Sequence, residues 1–96
     1  MESEKYRYHE KLFLKQLREA RESANVKQTE LSEALGEYQS YVSKVETGER
    51  RLDVIELIAW CEALGVEADD FVKKLRQKLE EAGEKEGLLE LKQREK

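Results

Sequence analysis

The run Gln39-Ser40-Tyr41-Val42-Ser43-Lys44-Val45-Glu46-Thr47-Gly48 decides how this chain folds. Val42 and Val45 are three apart and share one face of a helix. Gly48 ends that helix, because glycine enters the left-handed region without a Cβ clash. The spacing predicts a short helix over 39–47 with an apolar back. Its front is short and polar: Gln39, Ser40, Ser43 and Lys44, with Tyr41 at the edge.

Immediately upstream, Leu31 and Leu35 lie four apart, which predicts a second short helix over 28–35 stopped by Gly36. Before it, Phe13, Leu17, Ala20 and Ala24 follow i, i+4, i+7, i+11 spacing, with Leu14 beside them. That pattern predicts a helix over 8–24 broken at Asn25-Val26, and the residues before Tyr8 either extend it or fray. Downstream, Asp53 is a good N-cap with Glu56 three residues on, opening a helix over 53–64. Its expected inward stripe is Val54, Leu57, Ile58, Cys61 and Leu64, with Trp60 beside it, partly exposed or at a subunit contact. A fifth helix begins near Glu67 to Asp70, with Phe71, Val72, Leu75, Leu79 and Ala82 expected inside. Residues 83–96 are mostly charged, interrupted by Gly83 and Gly87, with only Leu88, Leu89 and Leu91 apolar. They are expected to be a charged, flexible tail. Residues 1–8 then form an N-terminal extension and 9–82 the single domain.

The totals agree with an all-α chain. It has 96 residues, no proline, five glycines and 42% charged residues, which favours helices. Such a length fits one core and leaves little for a deep catalytic cleft. No apolar run approaches the roughly 18 residues of a membrane span, and the start does not resemble a signal peptide. A soluble, cytoplasmic protein is expected. Cys61 is the single cysteine, so no intrachain disulfide forms; its place on the stripe suits core packing better than redox sensing. His9 is the single histidine, which makes a metal site improbable. There is no glycine-rich phosphate loop and no paired-acid cleft, so neither an enzyme nor a cofactor is expected.

Two short helices around a glycine-centred turn are a device for reading DNA. The first braces across the backbone, and the second offers its N-terminal side chains to base edges in a major groove about 12 Å wide. Here the chain resembles the Cro/C1-type (Xre) helix-turn-helix family of repressors. The matching residues are Leu17-Arg18-Glu19-Ala20-Arg21, Gln28, and Glu30-Leu31-Ser32-Glu33-Ala34-Leu35-Gly36. They continue from Gln39 through Asp53 and end with Ala63-Leu64-Gly65-Val66.

The resemblance implies a five-helix, lambda-repressor-like domain that binds double-stranded DNA, commonly as a homodimer on a palindromic operator. It implies that Gln39, Ser40 and Lys44 reach bases. Gln28, Ser43 and Thr47 would hold phosphates, and Arg21 and Glu46 would link the first helix to the reading helix. Lys27 stands where a Ser/Thr cap is common and is expected on a phosphate, as are Tyr41, Arg50 and Arg51. The alternative for the two arginines is a local ion pair with Glu49 or Asp53. Glu37 and Tyr38 depart from the family pattern just ahead of Gln39, which bears on the turn geometry.

The charge balance opposes this reading. The net charge is −4, and residues 21–51 hold five basic and six acidic residues. Binding therefore depends on where the charges lie. About four phosphates neutralised per subunit gives a salt slope of about −3.6, or about −7 for a dimer. A dimer would set two reading helices about 34 Å apart. Its expected face is Phe71, Leu75, Leu79 and Leu64, unless that face closes the monomer's own core. Two rivals remain: a protein adaptor that has lost DNA binding, and an antitoxin with a protein partner at the C-terminal tail.

Overall fold

The computed structural model describes residues 4–82. Residues 1–3 of the expected extension and the expected 83–96 tail lie outside them. Five helices follow in order: α1 (Glu4–Ser23), α2 (Gln28–Ala34), α3 (Tyr41–Glu46), α4 (Val54–Ala63) and α5 (Ala68–Ala82). There is no strand among the described residues. The fold is all-α, and α1 runs back to Glu4, through part of the expected extension.

The turns follow from helix-end chemistry. Gly36 has φ +71°, its N–H reaches the carbonyl of Glu33, and the next N–H, of Glu37, reaches Ser32. These two bonds satisfy carbonyls that the end of α2 would otherwise leave bare. Gly48 repeats the arrangement after α3, with bonds from Gly48 to Val45 and from Glu49 to Lys44. At φ +87°, a Cβ on Gly48 would also stand 3.3 Å from the Leu14 Cδ1 methyl, so glycine suits both the backbone and the packing there.

Leu17, Leu31, Tyr41, Val42, Val45, Leu57, Trp60, Cys61 and Phe71 form one core to which every helix contributes. Around it pack Phe13, Leu14, Ala20, Leu35 and Leu64, among others. Phe13 meets Phe71 edge to face at 6.2 Å, and the buried Gln16 Nε2 donates to the Phe71 carbonyl at 2.9 Å, so α1 and α5 are clamped. Burial pushes the Cys61 thiol up, and it stays protonated at neutral pH.

Four expectations are corrected. Trp60, expected partly exposed or at a subunit contact, is fully buried within the monomer, at 0% exposure. The buried side of α4 runs through Leu57, Trp60 and Cys61, which turns Val54 and Ile58 outward with Ile55. On α4 almost every residue is apolar, so periodicity could not choose the face; the indole, the largest group to bury, sets it. Val72 is likewise exposed on α5. Tyr41, expected at the groove edge, is 2% exposed and belongs to the core, because it continues the Val42 and Val45 face by one residue. On α5, Phe71 is buried against the core, while Leu75 and Leu79 are half-buried in a groove they share with Phe13 and Leu14 of α1.

Candidate nucleic-acid interface

α2 and α3 meet across the turn at residues 35–40. The buried Ser32 Oγ on α2 accepts the Val42 N–H on α3 at 3.1 Å. This caps an orphan donor of the reading helix from outside it, a role usually taken by the N-cap side chain. Ser40, the N-cap of α3, makes no capping bond with its own side chain and is exposed. Sequence reasoning quoted Ser32 only as a family match. The available signal was a lone hydroxyl between Leu31 and the turn, on an otherwise apolar side.

Arg21 fixes the other end. Its Nε and Nη2 grip the two Glu46 oxygens at 2.8 and 3.0 Å, and Nη1 donates to the Val26 carbonyl at 2.9 Å. Both side chains are shielded, at 10% and 4% exposure. The Glu46 hydrogen bonds hold the guanidinium above its ordinary range, outweighing burial, which pulls the other way. Gln28 Nε2 also donates to Glu46, at 3.0 Å. One carboxylate thus locks α1, α2 and α3 together, and leaves Gln28 one N–H to offer a phosphate.

Gln28, Thr29, Tyr38, Gln39, Ser40 and Ser43 line a shallow concavity of about 350 Å³ between the two helices. It gathers four residues expected at DNA. Gln39 and Ser40 lie in the turn ahead of α3, not in its first turn, and both are exposed. Lys27, the N-cap of α2, is exposed, and its backbone N–H is held by the Glu30 carboxylate at 2.9 Å. Lys44 and Thr47 are exposed at the far end of α3. Ser43 and Thr47 turn their hydroxyl protons onto the Ser40 and Lys44 carbonyls, and their oxygens can still accept.

The cations divide into two kinds. Lys44 lies 3.6 Å from Glu49, a long, exposed pair that contributes little, and Arg51 lies 3.8 Å from Glu10 on α1. Arg50 is different. It holds both Glu56 oxygens, at 3.0 and 2.8 Å, also meets the Arg51 carbonyl, and stacks 5.2 Å from the Tyr41 ring centroid. Its charge is engaged by Glu56, a partner that is neither Glu49 nor Asp53. Burial, more than the neighbouring charges, pushes the Tyr41 phenol up. Tyr38 leans on it edge to face at 5.7 Å, half-exposed at the rim.

This arrangement has known counterparts. A family model described as helix-turn-helix matches residues 17–71, more than half of the chain. The chain belongs to the Cro/C1-type helix-turn-helix (XRE) family. A solved structure of an XRE-family like protein from Pseudomonas syringae pv. tomato str. DC3000 is 40% identical, with a TM-score of 0.72. The match covers 76% of this chain and 89% of that one. No curated protein matches. Membership makes this XRE-family chain a DNA-binding helix-turn-helix regulator by class. Among the described residues no helix is long and apolar enough to cross a membrane.

Proposed function

We propose that this protein binds a specific double-stranded DNA site and regulates transcription, as a repressor acting as a dimer on a palindromic operator in the cytoplasm. The observation that carries the reading is the polar ridge of the exposed Gln39, Ser40 and Lys44 and the half-buried Ser43, backed by the buried Val42 and Val45. Gln39 suits adenine, whose N6 and N7 a glutamine amide bonds together. Ser40 and Lys44 complete the base contacts. Lys27, Gln28, Ser43, Thr47 and Arg51 hold phosphates. The chain works by binding, with no catalytic step assigned to it.

With Arg50 committed to Glu56, three cations remain for phosphate: Lys27, Lys44 and Arg51. The expected salt slope falls to about −2.7 per subunit, or about −5.4 for a dimer. Titrating short mixed-sequence duplexes over a salt series tests this. Arg51→Ala should weaken binding to every sequence and flatten the slope by about one unit per subunit. Arg50→Ala should leave the slope unchanged and lower thermal stability instead. No measurable binding at low salt would favour the adaptor reading.

A further inference from the structure

We propose that the cleft between the end of α1 and the start of α5 binds a small neutral ring compound that carries one N–H or O–H donor, indole being a simple example. Gln16, Ala20, Ala24, Leu64, Val66 and Phe71 line it. The cleft follows from the small side chains that end α1. Ala20, Ser23 and Ala24, at i, i+3 and i+4, share one side of the chain there. Two methyls and a hydroxymethyl fill little of the space facing Leu64 and Val66, and both of those stay half-buried. The volume is about 550 Å³, inside the usual range for small-molecule sites. No residue is shared with the concavity beside Gln39.

Gln16 separates this cleft from a plain gap between helices. The residue is 3% exposed. Its Nε2 donates to the Phe71 carbonyl at 2.9 Å, and a carbonyl only accepts, so this bond fixes which way round the amide lies. Oε1 is left as a buried acceptor, and no donor among the described residues reaches it. A buried amide oxygen without a donor is costly, because burial has removed the water that would serve it. A ligand bringing one donor on an apolar ring satisfies that oxygen. Its ring covers the alanine methyls on one side and Leu64, Val66 and Phe71 on the other.

Charged occupants fit less well. Glu19 and the exposed Asp70 line the cleft against one cation, Lys74, which disfavours an anion. Glu19 is also held 3.6 Å from Lys78. An ammonium group would have to shed its hydration beside the neutral Gln16 amide.

The test uses the full chain and no DNA, so failure of the DNA reading leaves it intact. Amide NMR spectra are followed as indole is added, and a dissociation constant of roughly 1 mM is expected for so small a probe. Shifts should centre on Ala20, Ala24, Leu64, Val66 and the Gln16 side-chain amide. Benzothiophene has the same shape and no donor, and should bind about fivefold more weakly. At about 1 mM of each probe, indole should then fill about half of the sites and benzothiophene about a sixth. Ala24→Leu, at an exposed position, should keep the thermal midpoint and weaken indole binding at least about tenfold. Should that variant unfold, the two probes on the native chain decide alone. Equal binding of the two probes, indole binding indifferent to Ala24→Leu, shifts centred instead on the exposed Val54 and Ile55 of α4, or no shifts at all would overturn the proposal.

Discussion

Glu46 receives three hydrogen bonds from two other helices, and its side chain is 4% exposed. A carboxylate so placed is costly to leave without its cation, because burial removes the water that would otherwise solvate it. Arg21→Ala should therefore destabilise the fold by about 3–5 kcal/mol in urea unfolding, and a loss no larger than that of an exposed ion pair would show that water replaces the guanidinium. At this scale the sequence was legible where a family match named both partners, as for Arg21 and Glu46. It was silent on Ser32 and Gln16, whose side chains bond backbone groups far along the chain, at Val42 and Phe71. Pattern reading looks for apolar residues inside and has no means of pairing a buried hydroxyl or amide with a distant backbone atom.

All five helices were anticipated from spacing and end signals, and the largest disagreements in facing fall on α4 and α3. α4 has apolar residues all around, so its phase depended on the volume of Trp60, which a binary pattern does not weigh. α3 opens two residues later than expected, which puts Gln39 and Ser40 in the turn; the Val42 N–H is capped from α2, so no side-chain cap was there to read. The join between α3 and α4 makes a prediction about acid. The Arg50 hydrogen bonds first, and then the Asp53 N–H, hold the Glu56 carboxyl below its ordinary 4.5. A group lowered on folding stabilises the fold at pH above its unfolded value, and that contribution is lost as pH falls through the folded value. The thermal midpoint of the native chain should therefore exceed that of Glu56→Gln at neutral pH and converge with it below pH 4.5. A gap that persists undiminished into acid would mean the carboxylate charge contributes nothing.

Across the whole molecule the difficulty is a DNA-binding fold with a net charge of −4. The structure eases it by pairing carboxylates near the reading unit: Glu46 with Arg21, Glu56 with Arg50, and Glu30 on a backbone N–H. Lys27 and Lys44 are exposed beside the ridge, Lys44 in a long pair with Glu49, and Arg51 lies 3.8 Å from Glu10 on α1. Affinity for arbitrary DNA should be low, since the remaining surface repels phosphate, and specificity must come from the few side chains on the ridge. The most direct test is selection of bound duplexes from a random-sequence pool at low salt, run in parallel with the native chain and Gln39→Ala. A defined motif should emerge, and the variant should lose preference at one base position, a cost of about 1–3 kcal/mol on the best site. No enriched motif, or the same motif from both proteins, would contradict the assignment of this ridge as the reader.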